Sequence, residues 1–385
     1  MSLRLLTAGE SHGPELILIV EGMPAGVRVD QTELDRHLVR RQGGHGRGAR
    51  STKVERDHGE VVSGLHEGRT TGAPLAIRIR NLDFANQPPS KPPLTTPRPG
   101  HADLAGAIKF GLADMRQVRE RASARETAAR VAAAALVRPL LALFGVAVGS
   151  FVTAIGDVRV EVDLGRAGAD ELLWLAAAAE EDPVRCADSE ASERMVAAID
   201  TAQVDRQTLG GVFVAFATGV PVGLGSYTHW DLRLDGRLAG AICSIPAVKG
   251  VEVGPASEVA ALPGGEAQDP ILKDGAEMHR ASNFAGGLEG GVTNGEPVVV
   301  RAVMKPLSSI RAASLSVDLV TGETADPAYV RSDICAVPAA AVVAEAMVAW
   351  ILAEALVLRY GGDRVDAMLA AAEQVRSDPW AGGLG

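Results

Sequence analysis

Two alanine-rich apolar runs constrain this chain more than anything else in it. The first spans roughly Ala124 to Phe144 (ARETAARVAAAALVRPLLALF) and the second Pro338 to Tyr360 (PAAAVVAEAMVAWILAEALVLRY). A surface helix shows a single apolar stripe. These runs are apolar nearly all round, which reads as two helices buried inside the protein. Glu345 and Glu354 interrupt the second run, so it reads as a packed helix rather than a membrane span. Small side chains let neighbouring layers approach closely. Aromatics are only 4% of the 385 residues, so the core has to be assembled from Ala, Val, Leu and Ile.

Strand-like segments bracket the two runs. Residues 3 to 30 read as a strand, a GESHG loop, a second strand (ELILIVEGM) and a Pro-Gly turn. Gln31 to Arg41 reads as a short helix capped by Thr32. EVVSGLHEG and APLAIRIRN read as a strand pair, and Asp83 to Pro99 as a long loop. Further strands are expected within 146 to 162, in GGVFVAFATGVPVG, after the helix of GRLAGAICSIPAVKGVEVG, and in GEPVVVRAVM. Residues 166 to 204 read as acidic peripheral helices and 262 to 281 as a polar loop. This order lacks the regular alternation of a doubly wound sheet. The expected class is α+β: a β-α-β sandwich of layers with long alanine-rich helices buried between them.

The chain is acidic, with a net charge of -10, yet cations gather between Arg98 and Leu136. Arg98, His101, Lys109, Arg116, Arg119, Arg121, Arg125 and Arg130 all fall there. The planar fork of arginine suits phosphate and carboxylate, so this cluster reads as an anion site. No basic stripe spans the chain, which argues against nucleic acid as a partner. Cys186, Cys243 and Cys335 lack metal-ligand spacing and read as buried, inert thiols, so neither a metal nor a disulfide framework is expected. MSLRLLTAGESHG has no long apolar core or small-residue cleavage site, so a cytoplasmic location is expected.

The motifs point the same way. GESHG puts Ser11 and His12 in a glycine-flanked turn that lacks the nucleophile-elbow frame, so a proton donor is the better role for His12. RRQGGHGRGAR sets Arg40, Arg41, Arg47 and Arg50 around a flexible loop suited to phosphate, without a Walker A ending. RPGHAD supplies His101 and Asp103, and RASARET supplies Arg121, Ser123 and Arg125 just before a helix whose N-terminus favours an anion. KPLSSI adds Lys305, Ser308 and Ser309, and RSDICAVP adds Arg331 and Asp333. Two histidines, several arginines and Ser/Gly loops suggest chemistry on a polyanionic small molecule, with a second phosphate-bearing ligand as cofactor.

Taken in order, GESHG, RRQGGHGRGAR, RPGHADLAGAIKFGLADMRQVRERASARETAARVAA, AVKGVEVG, SNFAGGLEGGVTNG, KPLSSI and RSDICAVP resemble the chorismate synthase family over nearly the whole chain, from residue 3 to about 375. The resemblance implies a single domain over 1–385. It also implies a lyase that turns 5-enolpyruvylshikimate 3-phosphate into chorismate and phosphate by anti-1,4-elimination. The family uses reduced FMN, with NADPH as an alternative to an external reductant, and assembles as a homotetramer without membrane or nucleic-acid partners. Carried over by position, His12 corresponds to the histidine that protonates the departing phosphate, and His101 to the one beside the flavin. Asp333 corresponds to the aspartate near the reactive flavin nitrogen. Arg41 and Arg47 match the phosphate- and NADP-binding loop, and Ser11 and Arg125 the holders of the substrate ring and carboxylate. Flavin contacts would come from Arg121, Ala122, Ser123, Pro246, Ala247, Gly290, Lys305, Pro306, Leu307, Ser308, Ser309 and Arg331. Pro246 stands where the family commonly carries an amide side chain. A different flavoenzyme would be expected to show a dinucleotide fingerprint. A non-catalytic relative would be expected to lose His12, His101 or Asp333, and all three are present.

Overall fold

Alternation of apolar and polar residues builds the first layer. The computed structural model describes residues 2–48, 54–86, 92–275, 277–310, 312, 314–327 and 332–377. Strands β1 (Arg4–Gly9), β2 (Glu15–Glu21), β3 (Gly59–Ser63) and β4 (Leu75–Arg80) form an antiparallel sheet in the order β1-β2-β4-β3. Leu16, Leu18, Val20, Leu75, Ile77 and Ile79 all point to one side and are buried, while Ile17 and Ile19 face outward. Period-two patterning thus gives the sheet one wet face and one dry face.

The dry face is covered by helices. Helix α1 (Gln31–Gln42) starts at Asp30, whose carboxylate accepts from the Thr32 backbone N–H at 2.8 Å. The cap is therefore Asp30 rather than Thr32, because Asp30 stands just outside the helix in extended backbone and its carboxylate reaches the unpaired donor, whereas Thr32 lies within the first turn. Two short helices, α2 (Asp103–Phe110) and α3 (Arg116–Ala122), lie between the expected loop and the first alanine run. A 3₁₀ turn over Ala124–Glu126 then leads into α4 (Thr127–Leu143). Ala128, Ala129, Ala132, Ala133 and Ala134 are fully buried between β1, β2 and β4 on one side and the second alanine-rich helix on the other.

Beyond that pair lies a second antiparallel sheet. It comprises β5 (Ala147–Ile155), β6 (Val158–Arg159), β7 (Gly211–Thr218), β8 (Val248–Val253) and β9 (Val298–Met304), in the order β8-β9-β7-β5-β6. The two peripheral helices follow the sequence reading as α5 (Ala169–Glu180) and α6 (Ser189–Val204), and α5 covers the outer face of β5. Helix α7 (Leu234–Cys243) and the long α8 (Val337–Tyr360) line the inner side of this sheet. By composition α8 could cross a membrane, yet 89% of its most apolar stretch is buried within the protein. The architecture is an α+β sandwich: sheet, paired alanine-rich helices, sheet.

Three other expectations change. Residues within 262 to 281 form a hairpin of Ile271–Asp274 with Glu277–Arg280, built by local pairing in a segment whose polarity had suggested a loop. A further helix, α9 (Val365–Ser377), follows α8. Cys186 and Cys335 are buried as expected, but Cys243 is exposed at the last residue of α7.

Candidate active site

The turn carrying His12 closes β1 onto β2, and glycine is required there. Gly9 adopts φ +98°, and a Cβ on it would stand 2.4 Å from the Glu15 carbonyl oxygen. Helix α3 presses against this turn. The Ser11 N–H donates to the Glu120 carbonyl at 3.0 Å, and the His12 N–H donates to Glu120 Oε2 at 2.6 Å. His12 Nδ1 lies 3.1 Å from Glu120 Oε1, and its side chain stays about one-third exposed, at 35%. Arg121 reaches the same strand, donating to the Thr7 carbonyl at 2.8 Å and the Gly9 carbonyl at 3.2 Å. From the other side Asn81 donates to the carbonyls of Glu10 and Gly13 and accepts from Arg125 Nε at 2.8 Å.

Arg125 continues the network inward. Its Nη1 donates to both carboxylate oxygens of Asp57, at 2.6 and 2.7 Å, while its buried Nη2 makes no hydrogen bond and sits 4.0 Å from Glu55. Arg41, at the end of α1, donates to Thr127 Oγ1 at 2.9 Å and the Ala124 carbonyl at 3.0 Å, and lies 3.5 Å from Asp57. Burial, together with the nearby cations Arg125 and Arg47, pushes the Arg41 guanidinium down to about 10 although Asp57 opposes them.

The RPGHAD segment forms a second centre around Asp103, which is fully buried. Its carboxylate accepts from Arg98 Nε at 3.0 Å and Arg119 Nη2 at 2.8 Å, and lies 2.6 Å from His101 Nδ1. Burial works against the Asp103 charge, but these hydrogen bonds outweigh it and hold the carboxyl well below the usual carboxylate range. Arg98 also donates to Ser309 Oγ at 2.6 Å, which brings the KPLSS segment alongside. There Lys305 Nζ donates to the Gly100 carbonyl at 3.1 Å and to Ser308 at 3.0 Å. The Lys305 N–H donates to the Ala247 carbonyl at 2.9 Å, and the Leu307 carbonyl accepts from Thr208. Ser332 Oγ donates to the Ser309 carbonyl at 2.7 Å. Its neighbour Asp333 accepts from Arg47 Nη1 at 2.5 Å and from the Gly48 N–H at 2.7 Å.

These contacts bring most of the motif residues into one connected network. The path runs from His12 through Glu120 and its helix neighbour Arg119 to Asp103, His101, Arg98, Ser309, Asp333 and Arg47. A second chain runs from Arg41 through Asp57, Arg125 and Asn81 to the His12 turn, and Arg47 and Asp333 lie close enough to Arg41 to influence its charge. Ser123 accepts from the Arg125 N–H at 3.3 Å and so belongs to this second chain. Arg121, Ala122 and Pro246 line an adjoining cleft of about 680 Å³, walled by β1 and by Met347 and Trp350 of α8. That volume suits a cofactor-sized molecule, and Arg4, Arg121, Arg130 and Ser244 on its wall, set among Glu126 and Glu354, supply donors suited to a phosphate. The residues present therefore fit a flavin nucleotide. Gly290 stands elsewhere, in a turn beside Tyr227. Arg331 and Arg50 lie outside the described residues. Four functional neighbours escaped the sequence reading: Glu55, Asp57, Asn81 and Glu120. Only Asn81 left a trace, because it extends the inward alternation of Leu75, Ile77 and Ile79.

Comparisons with known proteins place the chain in a family. The chorismate synthase family profile matches residues 3–357. A chorismate synthase from Rubrobacter xylanophilus is 53% identical over 378 residues, covering 95% of each chain. Another from Moorella thermoacetica is 51% identical over 372 residues, covering 94% of this chain and 95% of the relative. A crystal structure of chorismate synthase superimposes with a TM-score of 0.80 at 39% identity, covering 98% of this chain and 99% of that one. This chain belongs to the chorismate synthase family and is a lyase of that kind, placed at the last common step of the shikimate pathway.

Proposed function

We propose that this enzyme eliminates phosphate from 5-enolpyruvylshikimate 3-phosphate in the anti-1,4 sense, giving chorismate, and that it uses reduced FMN to do so. The observation that carries the reading is the continuity of the polar network. Two histidines, each beside a carboxylate, share it with Arg41, Arg47, Arg98 and Arg125. The reduced flavin, when bound, supplies an electron-rich ring able to lend density to the allylic system and to recover it. Arg121, Ala122, Ser123, Pro246, Ala247 and the Lys305–Ser309 segment would hold it, with Gly290 and Arg331 assigned by resemblance.

The chain's own groups handle charge and protons. His12 gives a proton to the departing phosphate from the ring nitrogen turned away from Glu120. Arg41 and Arg47 stabilise the charge that develops on that phosphate, and Ser11 and Arg125 are assigned to the substrate ring and carboxylate by resemblance. His101, oriented by Asp103, supports the flavin's protonation state. Asp333, anchored by Arg47 and Gly48, assists removal of the ring proton. Cations held inside the fold rather than in a surface stripe favour a small-molecule partner. The same reading takes the enzyme as a cytoplasmic homotetramer whose flavin is reduced externally, with NADPH as the alternative donor.

The test is anaerobic phosphate release from 5-enolpyruvylshikimate 3-phosphate with chemically reduced FMN. Turnover is expected, and its absence with authentic substrate would overturn the assignment. A parallel aerobic assay with NADPH and free FMN reports the source of reduction: turnover there would replace the external reductant by NADPH.

A further inference from the structure

Glu120, outside the GESHG motif, contacts the imidazole of His12. Glu120 lies in the last turn of α3, a hundred residues away in sequence, and its side chain is only 17% exposed. It contacts two consecutive residues of the turn. Its carbonyl accepts from the Ser11 N–H at 3.0 Å, Oε2 accepts from the His12 N–H at 2.6 Å, and Oε1 lies 3.1 Å from His12 Nδ1. A carboxylate can only accept, so the proton on Nδ1 is directed at Glu120, and Nε2 becomes the nitrogen that exchanges protons with a ligand. The turn is glycine-flanked and short, and without such a grip its imidazole could take several rotamers.

We infer that Glu120 is a positioning residue for His12, fixing the ring's orientation and tautomer so that Nε2 serves as the acid. It acts through the histidine and touches neither substrate nor cofactor. The neighbouring Asn81 holds the carbonyls on either side of the turn, so the backbone keeps its shape when the carboxylate is removed. Loss of Glu120 therefore removes the ring's carboxylate partner while the loop keeps its Asn81 bonds. The inference rests on His12 being the proton donor.

A double-mutant cycle on the full-length enzyme tests it, using His12→Ala, Glu120→Ala and the double variant in the phosphate-release assay. Substrate affinity is measured separately without reductant. Glu120→Ala is expected to lower kcat roughly 10- to 100-fold, with substrate affinity within about threefold of the parent. In the His12→Ala background the same substitution should cost almost nothing more, because the group it positions is gone. Glu120→Gln keeps the size of the side chain but not both acceptors, so it should regain only part of the loss. It also serves as the second variant should Glu120→Ala fail to fold. Normal kcat in the Glu120 variants beside a slow His12→Ala would overturn the inference alone, as would fully additive losses in the double variant. Normal kcat in His12→Ala would overturn the reading of His12, and the inference with it.

Discussion

Arg40 and Arg41 are consecutive residues in the last turn of α1, both nearly buried, and they leave the helix for opposite environments. Arg40 enters a closed cluster, donating to Glu180 at 2.6 and 2.8 Å and to Glu345 at 2.8 and 3.0 Å. Glu345 also binds Arg138 and accepts from Ser150 Oγ at 2.7 Å. Burial disfavours the Arg40 cation, yet Glu345 and Glu180 outweigh it and hold the guanidinium more firmly protonated than usual. Arg41 faces the active site, where burial and the neighbouring Arg125 and Arg47 push it down to about 10 despite Asp57. Buried charge by itself therefore does not mark a site. What separates the two arginines is that the carboxylates beside Arg40 outweigh its burial, whereas Asp57 beside Arg41 does not outweigh burial and the neighbouring cations.

The sharpest way to break this contrast is to exchange the fates of the two arginines. Arg40→Ala takes from the buried Glu345 and from Glu180 the guanidinium they share. Glu345 keeps Arg138 and Ser150, so the cost is expected to fall below the roughly 3–5 kcal/mol of a buried charge left alone. A marked fall in Tm is expected, larger than for any active-site substitution proposed here. An unchanged Tm would mean that the Arg40 cluster is not a stabilising one. Arg41→Lys keeps the charge but loses the fork that spans Thr127 and the Ala124 carbonyl. Here kcat/KM should fall roughly 10- to 100-fold, with a smaller drop in Tm than for Arg40→Ala. Equal losses of stability in the two variants, with activity preserved in Arg41→Lys, would erase the distinction between them.

That distinction was only half legible in the sequence. Arg40 and Arg41 stand side by side in RRQGGHGRGAR, and nothing local says that one turns to α8 and the other to the site. Their partners, Glu345, Glu180 and Asp57, lie far away in the chain, and ion pairing leaves no periodic trace. Layers were easier to read, because the alanine runs and the alternation of Leu16, Leu18 and Val20 are local patterns that burial simply enforces. Helices α2 and α3 are too short to show a clear apolar period, at 8 and 7 residues. They are held instead by tertiary contacts such as Arg119 to Asp103 at 2.8 Å. Glu120 looked like one more charge among RQVRERA until the fold set it against His12.

The smallest effect separates the two regions by pH. His37 sits beside Arg40, its Nδ1 3.0 Å from Arg40 Nη1, and only 6% of it is exposed. Burial first, then Arg138 and Arg40, push its imidazole down to about 3 against the opposing pull of Glu345. The folded protein therefore keeps His37 neutral, whereas the unfolded chain takes up a proton as pH falls below about 6.5. Between about 6.5 and 3 the unfolded state binds more protons, so stability rises with pH there and is fully present above that window, at up to about 1.4 kcal/mol per pH unit. Glu345 and Asp103, both held below the usual carboxylate range, contribute stability that disappears only at more acid pH, as the unfolded carboxylates begin to protonate. Between about pH 5 and 6.5 the contribution of His37 is thus separable from theirs. His37→Gln, which keeps an acceptor for Arg40, should flatten the dependence of Tm on pH across that interval and leave Tm at pH 8 nearly unchanged. An undiminished slope would mean that His37 is not held neutral beside Arg40, and the closed cluster would then carry a titrating cation of its own.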